Sequence, residues 1–174
     1  MLGDQRLYAT ASVFTTAGFR TDSVSGGTMT TVVSPVSGKA VELDFVPSDA
    51  QLTGGAGMAI DPVRAVGKAV APMDGVIDEL DPYVFVVHGD DGRAIRVHLG
   101  IDTGSLAGKG FHALVSKGDR VHAGQPVAGW DVVAVETGGC SPMVPVVAVD
   151  AVNGAVAMRT NGPVCSGDAL YEWK

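Results

Sequence analysis

The stretch Val84-Phe85-Val86-Val87-His88-Gly89-Asp90-Asp91-Gly92-Arg93-Ala94-Ile95-Arg96-Val97-His98-Leu99-Gly100 reads as two β-rich runs joined by a glycine-bounded turn. Gly-Asp-Asp-Gly between runs of Val and Ile is a hairpin signal. As a four-residue loop it pairs His88 with Arg93 and Val87 with Ala94, which sets Tyr83 directly opposite His98. One face then carries Val84, Val86, Ile95 and Val97, an apolar set fit for a core, and the other carries Tyr83, Phe85, Arg96 and His98. His98 is expected to point away from the core.

On either side of this hairpin, further short apolar runs are separated by glycine turns: Val32-Val33, Ala40 to Leu43, Val76-Ile77, Val127 to Trp130 and Pro145 to Val149. Helical periodicity is nearly absent, with a turn or two at most over Ser105 to Leu114. The chain also repeats itself. Ser34-Pro35-Val36-Ser37-Gly38 echoes Ala71-Pro72-Met73-Asp74-Gly75, and Val121-His122-Ala123-Gly124-Gln125 with Trp130 echoes Val164-Cys165-Ser166-Gly167-Asp168 with Trp173. The pattern predicts an all-β fold, a barrel-like β-sandwich with internally repeated glycine turns.

With 174 residues the chain has room for one domain and a proper core. Residues 31–174 form the expected β domain. Residues 1–30, rich in Thr, Ser, Ala and Gly with aromatics at no period, read as a weakly structured tail. Asp4 and Arg6 followed by the Thr/Ser-broken run Ala9 to Ala17 do not make a secretory signal. No stretch approaches the roughly 20 apolar residues of a membrane span. Twelve basic against 19 acidic residues give a net charge of −7, which disfavours nucleic acid and anionic lipid and suits a basic protein partner. Cys140 and Cys165 lack any metal-ligand or disulfide-framework pattern, so free thiols in the cytoplasm are expected.

A single histidine is ordinarily a solvated or hydrogen-bonded structural residue. The surroundings of His98 argue for more: Gly100, where backbone can approach a ligand, and Asp102 follow it, and a phenol and a guanidinium share its expected face. Such a face suits docking another protein while exchanging a small anionic group. Lipoyl and biotinyl carriers use similar turns but present a lysine at a hairpin tip, and the tip Gly89 to Gly92 has none. A zinc peptidase of the lysostaphin type needs about three protein ligands, commonly with a His-x-His pair. Here Arg96-Val97-His98 puts a cation where a ligand should stand, and His88, His112 and His122 read as structural or solvated. No metal and no cofactor is expected.

From Thr31 to Trp173 the chain resembles the glucose-type enzyme IIA domain of the bacterial phosphoenolpyruvate-dependent sugar phosphotransferase system. The segments that carry the resemblance are Ser34-Pro35-Val36-Ser37-Gly38, Ala71 to Ile77, His98-Leu99-Gly100-Ile101-Asp102-Thr103, Gly110-Phe111, and Lys117-Gly118-Asp119 with Val121 and Gly124-Gln125. Their succession is specific where each alone is weak. The resemblance implies a phosphocarrier: His98 accepts phosphate from a histidine phosphocarrier protein and passes it to a sugar permease component of the IIB/IIC type, with regulatory protein targets as further partners.

The resemblance also implies that the Gly100 carbonyl holds the proton of the His98 ring. It places Tyr83 where the family has a second histidine and Asp81 where a hydroxyl donor is common. Val46-Pro47-Ser48-Asp49-Ala50-Gln51-Leu52 departs from the family's Val-Pro-Asp-x-x-Phe, leaving Asp49 as the offset acid. Arg96 is expected either as a cation for the phosphate or as a solvated residue paired with Asp81 or Asp102. The altered supports at Tyr83 and Asp81 leave a second class open, a non-catalytic regulatory or binding module on the same fold.

Overall fold

A computed structural model describes residues 28–46, 55–152 and 154–174. The expected tail, up to residue 27, and the stretch Pro47 to Leu52 with Asp49 lie outside the described residues. Thr30, assigned to the tail from sequence, already pairs with Trp173 at the start of the first strand. The strands are β1 (Thr30–Val33), β2 (Gly38–Glu42), β3 (Gly55–Pro62), β4 (Val66–Val70), β5 (Gly75–Asp81), β6 (Val84–His88), β7 (Ala94–His98), β8 (Phe111–Ala113), β9 (Arg120–Val121), β10 (Pro126–Asp131), β11 (Val144–Val149), β12 (Val156–Ala157), β13 (Gly162–Val164) and β14 (Ala169–Trp173). An eight-stranded sheet in the order β13-β2-β3-β11-β7-β6-β5-β9 faces two three-stranded sheets, β4-β10-β8 and β1-β14-β12. One apolar cluster fills the space between them, drawing Met58, Phe85, Ile95 and Val97 from the large sheet and Ala69, Trp130, Leu170 and Tyr171 from the small ones. Burying each large side chain contributes about 1.5–3 kcal/mol, so this layer is the main source of stability.

The sequence echoes become matched hydrogen bonds. Val33 N–H donates to Pro72 O and Val70 N–H to Pro35 O, both at 2.8 Å. Ser34 N–H reaches Asp168 O at 2.7 Å while its counterpart Ala71 reaches Gln125 O at 2.8 Å. The two Pro-containing corners thus clasp each other, and each is closed by its own glycine turn, Gly167 to Ser34 O and Gly124 to Ala71 O. Two halves of the chain build the sandwich with the same device.

Two elements escape the sequence pattern. β3 opens Gly55-Ala56-Gly57, which has poor strand propensity, yet a Cβ on Gly57 would stand 2.0 Å from Val146 O, so close approach of β11 requires the glycine. α1 (Val132–Thr137) is a short helix in a Val-rich run. Asp131 caps it by accepting from Ala134 N–H at 3.0 Å, and burial of Val132 and Val135 overrides their β preference. No helix among the described residues is long and apolar enough to cross a membrane.

The β6–β7 hairpin corrects the expected register. Arg93 joins the turn, making a five-residue loop: Gly89 N–H donates to Arg93 O at 2.8 Å, and the Asp91 carboxylate accepts from Arg93 N–H at 3.0 Å. Gly92 takes the left-handed conformation at φ 85° that this loop needs. His88 therefore pairs with Ala94, Phe85 with Val97, and Val84, not Tyr83, with His98. The one-residue slip exchanges faces on β6. Phe85 and Val87 enter the core with Ile95 and Val97, whereas Val84 and Val86 share the outer face with Arg96 and His98.

Candidate functional site

His98 ends β7 and faces away from the main core, as its alternation with Val97 requires, yet it is only 5% exposed. Its Nδ1 lies 2.5 Å from Gly100 O. A carbonyl can only accept, so Nδ1 carries the proton in this contact, and in the neutral ring Nε2 is the nitrogen left with a lone pair. The contact joins residues two apart, across a corner held by Gly100 at φ 83°. A Cβ there would stand 2.6 Å from Thr103 Cγ2 and 2.9 Å from Ser141 O, so only glycine fits. Ile101 N–H then donates to Ser141 O at 2.8 Å, anchoring the corner to the segment before β11.

Asp102 turns the chain through a left-handed conformation at φ 61° into a 3-10 turn, Thr103–Leu106. The Asp102 carboxylate is exposed, while its carbonyl accepts from Ser105 Oγ at 2.9 Å and from Cys140 Sγ at 3.5 Å. Backbone, not side chain, is what Asp102 contributes to holding the corner.

Tyr83 is off the expected cross-strand position but still reaches the histidine. Its carbonyl accepts from Leu99 N–H at 2.7 Å, and its ring centroid is 5.7 Å from that of His98 at an interplanar angle of 45°. Behind it, Phe111 meets Tyr83 edge-on at 6.3 Å and stacks on the buried Trp130 at 6.2 Å. An aromatic column thus runs from the core to the histidine. A smaller apolar cluster of Val46, Ala59 and Ile101, with Val41, Leu43 and Met143 packed on it, occupies the outer face of the same sheet.

Arg96 shares the outer face with His98, but its ion-pair partner is neither Asp81 nor Asp102. Nη2 stands 3.5 Å from Oε2 of Glu79 on β5. Strict alternation from the buried Ile77 would turn Glu79 inward; a bulge between Ile77 and Glu79 resets the strand, so Leu80 pairs with Phe85 and Glu79 with Val86. Asp81 pairs with Val84, which places it in the row of His98 with Val84 between them. Glu79 was missed from the sequence because nothing in Ile77-Asp78-Glu79-Leu80 marks the bulge. His88, His112 and His122 are all exposed, on β6, β8 and a glycine turn. Among the described residues no group of three or more His, Cys, Asp or Glu is placed to hold a metal ion.

Residues 30–153 match the family model described as phosphoenolpyruvate-dependent sugar phosphotransferase system, EIIA 1. The chain is 35% identical over 150 residues to the N-acetylglucosamine-specific EIICBA component of Escherichia coli (strain K12), covering 82% of this chain and 23% of that protein. It is 32% identical over 121 residues to the glucose-specific EIIA component of Oceanobacillus iheyensis, covering 67% of this chain and 72% of that one. The chain thus spans under a quarter of the length of the EIICBA relative and nearly three quarters of the separate EIIA component. Among solved structures, glucose permease IIA from Mycoplasma capricolum superposes with a TM-score of 0.78 at 26% identity, over 85% of this chain and 97% of that one.

Proposed function

This chain belongs to the EIIA 1 family of the phosphoenolpyruvate-dependent sugar phosphotransferase system, and on that premise we propose that it is a cytoplasmic phosphocarrier in which His98 takes a phosphoryl group from a histidine phosphocarrier protein and gives it to a sugar permease component. The observation that carries this reading is the 2.5 Å contact between His98 Nδ1 and Gly100 O. It holds the neutral ring in one orientation with Nε2 as the nucleophile.

In the transfer, the Nε2 lone pair attacks phosphorus as the bond to the partner's ring nitrogen breaks, and the electrons of that bond return to the partner's ring. The proton on Nδ1 stays in place, held by the carbonyl, so no proton need leave the site. Onward transfer is the same exchange in reverse, with the permease component supplying the attacking atom. Phosphoryl transfer needs positioning and charge stabilisation more than covalent help. The Gly100 corner supplies the first, the apolar cluster around Ile101 limits water, and the Tyr83 phenol is the neighbouring hydrogen-bond donor.

Tyr83 also favours a second reading. A phenol carries no positive charge where the family's second histidine can, which suits a regulatory module that keeps the partner face with slow onward transfer. Incubation with phosphoenolpyruvate and the general phosphotransferase proteins separates the cases. The phosphocarrier reading expects acid-labile, base-stable phosphate on the chain, abolished by His98→Ala and retained in His88→Ala, His112→Ala and His122→Ala, with discharge onto a permease domain. Labelling that persists in His98→Ala overturns the assignment. Labelling without discharge establishes the regulatory module.

A further inference from the structure

We infer that Glu79 and Arg96 form a partner-exchange pair that reads the phosphorylation state of His98: Arg96 is held by Glu79 while His98 is bare and transfers to the phosphate when His98 is charged. The inference rests on the phosphocarrier reading and adds two residues acting in concert.

Four observations support it. Arg96 and His98 stand two residues apart on β7 and face the same way, so their Cα atoms are about 6.7 Å apart, within reach of an extended arginine side chain. Glu79 reaches that face only through the Asp78 bulge, the kind of local irregularity that re-aims a side chain. The ion pair is loose, with a single 3.5 Å contact between side chains that are 36% and 46% exposed, and Arg96 Nε is buried with no hydrogen-bond partner among the described residues. Finally, the two residues line an open groove of about 500 Å³ with Asp78, Asp91, Arg93 and Asp150, which leaves the guanidinium room to turn; His98 lies outside that lining, beyond the end of the groove along β7.

The energetics favour the exchange. An exposed single-contact pair contributes little, and breaking it costs correspondingly little. A phosphoryl group offers up to two negative charges and three strong acceptor oxygens, and the planar guanidinium fork matches phosphate bidentately. Arg96 leaving Glu79 for the phosphate satisfies its idle Nε donor as well. The exchange has a second consequence: charging His98 leaves the Glu79 carboxylate unpaired at the rim. The charged and uncharged forms then present different ion patterns to a partner, beyond the phosphate itself. Glu79 acts here as a positioning residue, through Arg96.

The test is the equilibrium constant for phosphoryl exchange between this chain and the phosphorylated histidine phosphocarrier protein, measured with radiolabelled phosphoenolpyruvate on the full chain. Glu79→Gln releases Arg96 and should raise the phosphorylated fraction's equilibrium constant about two- to fivefold, the strength of an exposed pair. Arg96→Gln should lower it about tenfold, the loss of a charge-assisted hydrogen bond. In Arg96→Gln, adding Glu79→Gln should restore much less than the gain it gives alone. The inference is overturned if Glu79→Gln acts equally in both backgrounds, or if neither single variant moves the constant while His98 is still labelled. Failure of the native chain to label at His98 overturns the phosphocarrier reading instead.

Discussion

The phenolic oxygen of Tyr83 lies 3.2 Å from the point where a Cβ on Gly104 would stand, so the two residues share one small space beside His98. Gly104 is not among the residues with positive φ, so a side chain there meets no backbone strain; the phenol is the obstacle. Gly104→Val should therefore displace the Tyr83 hydroxyl while leaving the thermal midpoint nearly unchanged. Loss of one hydrogen bond of about 1 kcal/mol would slow acceptance at His98 roughly fivefold. An unchanged rate would show that the hydroxyl takes no part.

Tyr83→His tests the same position from the other side. Replacing a neutral donor by one that can carry charge should strengthen transition-state stabilisation by about 1–2 kcal/mol, roughly five- to thirtyfold in rate. The gain should appear chiefly in donation to a glucose-type permease domain, because the incoming phosphocarrier brings its own phosphate-binding groups. Unchanged or slower donation, with rapid native turnover, would make Tyr83 a working part of the site.

Gly100→Ala should damage the histidine and the fold together. The added methyl meets Thr103 and the Ser141 carbonyl at a φ of 83° that disfavours alanine. Nitrogen NMR of the native chain should show the Nδ1–H tautomer at His98; the variant should lose both that signature and labelling. Retention of the tautomer would place its cause elsewhere than in the Gly100 carbonyl.

Tyr171 gives the pH dependence a sign. Its hydroxyl donates to Val146 O at 3.2 Å inside the core, and burial pushes its pKa far above the usual phenol value, against a weaker opposite pull from Arg159. Above the unfolded value near 10 the unfolded chain loses this proton while the native chain keeps it. Stability should therefore fall as pH rises past about 10, at up to about 1.4 kcal/mol per pH unit. Denaturant titrations should show Tyr171→Phe about 1 kcal/mol less stable at neutral pH, with the two curves converging above pH 10. Parallel curves would mean that Tyr171 ionises in the native state.

Gly57→Ala should be strongly destabilising, by about 3 kcal/mol or more, since its methyl would press on the Val146 carbonyl within the β3–β11 pair. Chemical denaturation would detect the loss directly. A neutral result would mean that the two strands can separate locally at no cost.

How much was legible beforehand depended on how local each feature is. The His98–Gly100 contact spans only two residues, and it was expected from the resemblance carried by His98-Leu99-Gly100. The all-β class and the repeated corners were likewise written in glycine turns and in the echo of Ser34-Pro35 by Ala71-Pro72, because turn conformations are dictated within four or five residues. The hairpin register was not legible. Val84-Phe85-Val86-Val87 is apolar throughout and buried on both faces, so alternation, the only guide to facing, is missing there. The choice fell to the Asp91 carboxylate drawing Arg93 into the turn.

The strand-and-turn pattern and the internal repeat follow from neighbours along the chain, which is why residues alone showed them. Which residues surround His98 follows instead from contacts between segments distant along the chain. Val84 stands across from it because a turn is one residue longer, Glu79 meets Arg96 because a strand bulges at Asp78, and Tyr83 lies against Gly104 because a separate 3-10 turn packs there. Each is a contact between segments whose relative offset a period-two pattern leaves free, and that offset is set by packing and hydrogen bonding across the sheet.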